Sequence, residues 1–168
     1  MFRRRKHSTA PPSDGAGAGL RAMALSMDPA TVGIDPHAGE VWGFVMDTGM
    51  ASGGWHALVV FADGTTSLYT SAAFGVIGAG GHEVVRAAGA RLLAVASSQL
   101  SLFAADHDDS TPPPGQVVMR ALTGSGRKAV AASEDDLGHM RHPAAAVFHA
   151  AHEVISAIRQ VTPDPGAH

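Results

Sequence analysis

The sequence predicts a single α+β domain with a five-stranded, mainly antiparallel sheet and a short N-terminal helix. The predicted order after that helix is a three-strand meander, a helix, a hairpin and a second helix. Two groups of short apolar segments joined by glycine-containing turns predict the strands. Each group is followed by a segment with the periodicity of an amphipathic helix, and helices that bury one face against a sheet give this fold class. A length of 168 residues suffices for one domain with a real core.

The composition excludes several classes of function. The chain has no cysteine, which excludes disulfides, thiol catalysis and thiolate metal ligands. Its formal net charge of -3 offers no long-range attraction for nucleic acid. No apolar run reaches the length of a membrane span, and the residues after the first arginines lack the apolar segment of a secretory signal. We therefore expect a cytoplasmic protein that binds neither nucleic acid nor membrane.

The two ends of the chain differ in composition from the rest. Residues 1–18 combine basic residues with proline and glycine and predict a disordered leader. Weak attachment of the basic cluster Arg3–His7 to an acidic membrane or polyanion is the alternative for this leader. Residues 19–161 form the predicted domain, and residues 162–168 form a predicted disordered tail.

The first elements of the domain are a short helix and the meander. Leu20–Met27 offers two helical turns that the next aspartate and proline end. Val41–Met46 and Trp55–Ala62 are apolar at almost every position, which is typical of strands buried on both faces. Asp63-Gly64 predicts a type I′ hairpin turn, whose two central residues need positive φ. Thr66–Ser71 is then the third strand.

A long helix is predicted from His82 to about Ala104, with its apolar side packed across the sheet. The run Asp106–Gly115 contains three aspartates and three prolines, cannot continue a helix, and predicts an exposed acidic linker. The apolar line of the helix is Val84, Ala88, Val95 and Leu102, broadened by Val85, Leu92 and Phe103.

The second hairpin and the last helix complete the domain. Gln116–Thr123 and Lys128–Ala132 predict two strands around the turn Gly124–Arg127, whose two glycines permit positive φ. The last helix is predicted from about His142 to Gln160. Its apolar side is Val147, Ala151, Val154, Ile155 and Ile158, and its polar side is His149, Glu153, Ser156 and Gln160.

Four blocks of the chain carry a resemblance to known sequences. They read WGFVMDTG at 42–49, ADGTTSLY at 62–69, GVIGAG at 75–80, and DLG through RHP at 136–143. Over roughly residues 20–160 the chain resembles a family of small, uncharacterised bacterial proteins, which implies no established activity. That family often has a triple glycine after the third strand, where this chain has Ala72-Ala73-Phe74-Gly75. More loosely, the layout is similar to profilin-like and roadblock-type scaffolds, which implies dimerisation and partner binding.

A glycine-rich loop at the start of the long helix is the first candidate site. Free N–H groups of Gly80, Gly81 and His82 can converge on a phosphate or carboxylate, with added charge from a protonated His82. The loop lacks the lysine of a P-loop and follows an antiparallel meander rather than a parallel strand. A purely structural turn is the alternative. The predicted ligand-binding residues are Gly75, Gly78, Gly80, Gly81 and His82.

Histidines on the last helix are the second candidate. His149, His152 and Glu153 are neighbours on a helix, and imidazole with carboxylate suits zinc or another divalent cation. The order of these residues is not H-E-x-x-H, and solvated histidines are the alternative. A further ligand would come from Glu134, Asp135 or His139. No nucleophile with an adjacent base is recognised, so we predict no catalytic residue and no cofactor.

These observations together predict a non-catalytic interaction or scaffold protein that forms a homo-oligomer or binds a protein partner. An open five-stranded sheet has edge strands that tend to pair. The first alternative is a small-anion or ligand-binding module at the Gly75–His82 loop and the helix N-terminus. The second alternative is a divalent-metal site on the C-terminal helix.

Overall fold

A computed structural model describes residues 15–72 and 75–162, which form an α+β fold. The helices are α1 (Ala16–Leu25), α2 (Glu83–Ser98), α3 (Glu134–Gly138) and α4 (Ala145–Val161). The strands are β1 (Val41–Gly49), β2 (Trp55–Phe61), β3 (Thr66–Thr70), β4 (Gly75–Val76), β5 (Ala104–Ala105), β6 (Gln116–Thr123) and β7 (Gly126–Ser133). Within these residues, no helix combines the length and the apolar character needed to cross a membrane.

One antiparallel sheet contains the seven described strands in the order β4-β3-β2-β1-β6-β7-β5. The predicted meander and the predicted second hairpin share this sheet because β1 pairs with β6, with Thr48 opposite Val117. The prediction of five strands is wrong, since β4 and β5 add one strand to each edge. Each has only two residues, which is too short to leave a periodic pattern in the sequence.

Helices α2 and α4 cover one face of the sheet. Met46 of β1 and Leu58 of β2 pack in a single cluster with Leu92 of α2 and Val147 of α4. All four side chains are essentially inaccessible to solvent. The predicted packing of both helices on a shared sheet is therefore confirmed.

The buried side of α2 differs from the predicted line. Val84 is 43% exposed, whereas Val85 is fully buried. The predicted line relied on a spacing of seven residues between Ala88, Val95 and Leu102, and such a spacing drifts around a straight helix of 3.6 residues per turn. Helix α2 also ends sooner than predicted, because a 3-10 turn and β5 follow it.

Helix α1 and the segment after it cover the opposite face. Leu25 of α1 packs with Trp42 and Val45 of β1. A Cβ at Gly17 would collide with the backbone carbonyl of Thr70, so α1 approaches β3 at a distance that only glycine permits. The sheet therefore lies between two covering layers.

Two predicted boundaries change. Helix α1 begins at Ala16, so the prediction of a disordered leader is wrong for residues 16–18. Residues 1–14 and 163–168 lie outside the described residues. Strand β7 begins at Gly126, which has positive φ, rather than at Lys128.

The turn between β2 and β3 is a three-residue loop rather than the predicted type I′ turn. The N–H of Gly64 donates to the carbonyl of Phe61 (3.0 Å), and the N–H of Phe61 donates to the carbonyl of Thr65 (2.9 Å). Gly64 has a φ of +94°, whereas Asp63 does not have positive φ. A type I turn followed by a left-handed glycine has this pattern. Asp63 stabilises the loop by accepting a hydrogen bond from the N–H of Thr65 (2.8 Å).

A buried aspartate joins α1 to the sheet. Asp47 of β1 is completely buried and accepts hydrogen bonds from Nε (2.8 Å) and Nη2 (2.7 Å) of Arg21. Arg120 of β6, which is also buried, donates from Nη1 to the same carboxylate. Two guanidinium groups thus meet one carboxylate in the interior, and they need further acceptors to offset their desolvation.

The segment 106–115 supplies those acceptors. Residues 107–111 are exposed, as predicted, but the segment also contacts the two buried arginines, which the sequence did not indicate. The carboxylate of Asp106 accepts a hydrogen bond from Nε of Arg120 (3.1 Å). Backbone carbonyls of residues 108–110 accept from Arg21 and Arg120 at 2.8 to 3.3 Å. Arg21 and Arg120 therefore hold this segment against the sheet. The hydrophobic periodicity of the sequence does not indicate these contacts.

The loop between α3 and α4 holds an exposed methionine in the left-handed conformation. Met140 has a φ of +59° and is 65% exposed. Arg141 stabilises this loop by donating from Nε to Asp136 (2.9 Å) and by pairing with Asp135. Left-handed backbone costs a residue with a Cβ roughly 1–2 kcal/mol, and asparagine tolerates it better than most residues.

We therefore expect Met140→Asn to raise the free energy of unfolding by about 0.5–1 kcal/mol, measured by urea denaturation. Met140→Ala keeps the Cβ and the backbone strain, so it should change stability by less than about 0.5 kcal/mol. An equal gain from both variants would show that the backbone conformation is not the cause.

Candidate functional site

The glycine loop, residues 75–81, leaves the sheet at β4 and enters α2 through a 3-10 turn. Gly78 has a left-handed φ of +74°, and Ala79–Gly81 form the turn. A Cβ at Gly80 would collide with the carbonyl oxygen of Gly64. The loop therefore packs directly on the turn between β2 and β3.

The amide groups of this loop do not converge on a common point. The N–H of Gly81 donates to the carbonyl of Gly78 (3.3 Å), and the N–H of His82 donates to the carbonyl of Ala79 (3.1 Å). The N–H of Gly78 faces Ser67 Oγ at 3.4 Å. Two of the three amides expected to bind an anion thus have partners inside the loop, and an anion site built on them stays a prediction.

The carbonyl groups of the same loop hold an arginine. Arg86 of α2 donates from Nη1 to the carbonyl oxygens of Gly80 (2.8 Å) and Gly81 (3.0 Å). Its aliphatic stem lies beside Gly64, where a Cβ would approach Cδ of Arg86 to 3.2 Å. Within the described residues, Nε and Nη2 have no hydrogen-bond partner. The guanidinium group is therefore fixed by one nitrogen and free along the opposite edge.

Arg86 lines a pocket of about 300 Å³, the Arg86 pocket, which lies between α2 and the neighbouring ends of β1, β2 and β3. This volume lies at the lower end of the range for small-molecule sites. Glu40 is the other charged residue of the lining. The apolar walls are Val41, Val60, Phe61, Ala90, Leu93 and Ala94.

Sequence reasoning missed the Arg86 pocket because its lining comes from separate segments of the chain. The sequence did contain one signal. An arginine stands one turn into the predicted helix, and that helix begins just after a glycine-rich segment. The predicted residues Gly80 and Gly81 do contribute, but through their carbonyl oxygens and only by positioning Arg86. His82 is exposed at the start of α2, and its carbonyl accepts the helical hydrogen bond from the N–H of Arg86 (3.1 Å).

The chain stands apart in comparisons with known proteins. No family model, curated protein or solved structure matches it. The resemblance to a family of small bacterial proteins therefore stays a prediction.

The histidines of the predicted metal site line a second cavity. This cleft of about 420 Å³ lies between α2 and α4 and includes His149, His152 and Glu153, with Arg91 of α2 also in the lining. In the described parts of the chain, no three His, Asp or Glu side chains are placed to hold a metal ion. Asp135, one of the expected additional ligands, pairs with an arginine of its own loop. The geometry thus gives the predicted divalent-metal site no support.

His152 is a half-buried residue rather than a solvated one on a polar face. Its ring packs on Phe148, with ring centroids 4.3 Å apart. Its Nε2 is buried without a hydrogen-bond partner among the described residues, and so is Nδ1 of His56 on β2. Burial lowers the pKa of both imidazoles. The pKa of His152 is lowered further by Arg159 and, when these histidines are protonated, by His56 and His149. Both rings are therefore mainly neutral at pH 7.

Proposed function

We propose that the protein is a non-catalytic interaction protein that self-associates through the outer edge of β7. The supporting observation is the shortness of β5. It pairs with β7 only at Lys128 and Ala129, so residues 130–133 have no strand on that side within the described part of the chain. Edge strands with unpaired backbone groups tend to pair with another chain.

The uncovered part of β7 lacks the features that block edge pairing. It reads Val130-Ala131-Ala132-Ser133 and contains neither a charge nor a proline. Its register with β6 is continuous, so no bulge turns the edge away. Natural proteins commonly protect edges with charges, prolines or bulges. Their absence from these four residues favours pairing.

The other edge of the sheet is better covered. Strand β3 pairs with β4 at Leu68 and Tyr69. The next residue, Thr70, has its backbone carbonyl against Gly17 of α1. The edge of β7 is therefore the one that supports association.

A second copy of this chain fits the β7 edge. Antiparallel pairing of two β7 strands about a two-fold axis brings identical segments together. Because the segment is uncharged, no like charges would face each other across the axis. Leu102, just before β5, is 38% exposed and would add apolar area to such an interface. We infer a homodimer with a continuous sheet.

The variant Ala131→Lys tests this interface. Ala131 is exposed, so the change should leave the monomer fold intact. Two introduced ammonium groups near the axis would repel each other, and we expect the dimer dissociation constant to rise about tenfold or more. Analytical ultracentrifugation or light scattering over a concentration series measures this constant.

The matched control is Ala87→Lys, which adds the same charge at an exposed alanine of α2. The dimer dissociation constant of this control should equal that of the unmodified protein. The proposal fails if the unmodified protein is monomeric at high concentration, or if both lysine variants dissociate alike.

A further inference from the structure

We propose that the Arg86 pocket binds a small carboxylate with a short apolar chain. This inference is independent of self-association, because no residue of β7 lines the pocket. The pocket lies between α2 and the turn that joins β2 to β3. The pocket combines a guanidinium group that is held by two carbonyl groups with a mainly apolar lining.

The position of Arg86 favours an oxyanion. Its Nη1 is engaged by the carbonyls of Gly80 and Gly81, and its stem lies beside Gly64. In the described residues, the edge formed by Nε and Nη2 has no partner. This edge presents two parallel N–H groups, which match the two oxygens of a carboxylate. A guanidinium group that is already held in place loses less freedom on binding than a mobile one.

The walls of the pocket favour an apolar chain on that carboxylate. They include the side chains of Val41, Val60 and Leu93, which pack on the α2 face of the sheet, with the small residues Ala90 and Ala94. Gly89 brings α2 close to β2, since a Cβ there would approach Cγ1 of Val60 to 3.0 Å. The small residues on this side of α2 leave the space open. A volume of about 300 Å³ suits a short branched chain rather than a long one.

Glu40 restricts where the carboxylate can lie. It lines the same pocket, and its Oε2 accepts a hydrogen bond from the N–H of His37 (3.1 Å). Among the described residues, Glu40 and Arg86 form no ion pair, so their charged groups are more than 4.0 Å apart. An anion is repelled by Glu40 and attracted by Arg86. We therefore place the carboxylate on Arg86, with the apolar chain directed along the walls.

Isocaproate is a suitable probe, because it joins a carboxylate to a short branched chain. We expect saturable binding at millimolar concentrations in calorimetry or in an NMR titration. Isocaproamide has the same shape without the charge, and acetate has the charge without the chain. Both should bind about tenfold more weakly or worse, since each loses one of the two contributions.

Two variants locate the binding. Arg86→Gln removes the guanidinium group and should weaken isocaproate binding about tenfold or more. Ala94→Phe fills the pocket without touching Arg86 and should abolish binding. The controls are Arg91→Gln and Ala87→Phe, which make the same changes at positions on α2 outside the pocket lining. Both should bind like the unmodified protein.

Several results would overturn the inference. Absence of saturable isocaproate binding is the simplest. Equal affinity for isocaproate and isocaproamide would exclude the role of Arg86, and equal affinity for acetate would exclude the apolar walls. Unchanged binding by a folded Ala94→Phe variant would place the ligand elsewhere. That variant keeps the test valid even if Arg86→Gln disturbs the glycine loop.

Discussion

Replacing Asp47 by asparagine is expected to lower the free energy of unfolding by about 3–5 kcal/mol. The variant keeps the shape of the side chain but removes the negative charge between Arg21 and Arg120. Arg120 keeps its contact with Asp106, whereas Arg21 has no other carboxylate partner among the described residues. A buried guanidinium group without a balancing charge is strongly unfavourable. The melting temperature should fall by on the order of 10 °C.

Thermal and urea denaturation at pH 7 measure this loss. The matched control is Asp136→Asn, because Asp136 also accepts a hydrogen bond from an arginine, Arg141, but lies at the surface. Exposed ion pairs contribute less than about 1 kcal/mol, so this control should change stability little. A small and equal effect of both changes would show that the buried charge is not required.

The second large effect is a loss of stability as the pH falls from 7 to 5. Burial lowers the pKa of His56, with Glu134 and Asp47 opposing and Arg159 reinforcing the shift. Burial also lowers the pKa of His152. Below about pH 6.5 the unfolded chain therefore binds protons that the folded chain does not, and stability falls as the pH falls.

Each such histidine contributes at most about 1.4 kcal/mol per pH unit, and only in the range between its folded-state pKa and its unfolded-state pKa. Both rings keep part of their surface in water, so solvent screening reduces this contribution. Well above pH 6.5 both rings are neutral in both states, so this contribution to stability is fully present and does not change.

Urea denaturation from pH 8 to pH 5 tests the two histidines. His56→Gln should reduce the dependence of stability on pH by about half, since one of two groups is removed. His37→Gln serves as the control, because His37 is exposed, and it should leave the pH dependence unchanged. A pH dependence that His56→Gln does not alter would contradict the assignment.

Local sequence patterns were sufficient for the main elements of the fold. The segments Val41–Met46 and Gln116–Thr123 lie in β1 and β6, because long apolar runs need burial on both faces of a sheet. The edge strands Gly75–Val76 and Ala104–Ala105 could not be found in this way. A two-residue strand is defined by the strand beside it and not by its own residues.

The buried charges could not be predicted because they depend on register. Asp47 and Arg120 each stand within an apolar run, and neither run shows which residues of the other will lie opposite. The pairing of β1 with β6 places Arg120 opposite Val45, on the same face as Asp47. Arg21 then arrives from a helix outside the sheet. Three separate segments must fold before this contact exists.

The sequence indicated the glycine loop but neither the Arg86 pocket nor the orientation of the peptide groups in the loop. Glycines at the start of α2 indicated a loop of special geometry, yet they left the direction of its peptide groups open, because glycine adopts many values of φ. Packing of Gly80 against Gly64 determines that direction. It turns two carbonyl groups toward Arg86, and the sequence alone does not show this.

The attachment of α1 constrains the order in which the chain can fold during synthesis. Arg21 donates to the carbonyl of Asp109, 88 residues further along the chain. Residues near the N-terminus leave the ribosome first, and contacts between distant residues form slowly. Helix α1 is synthesised before β6, so its contact with residues 109 and 110 cannot form until that later part of the chain has also been synthesised.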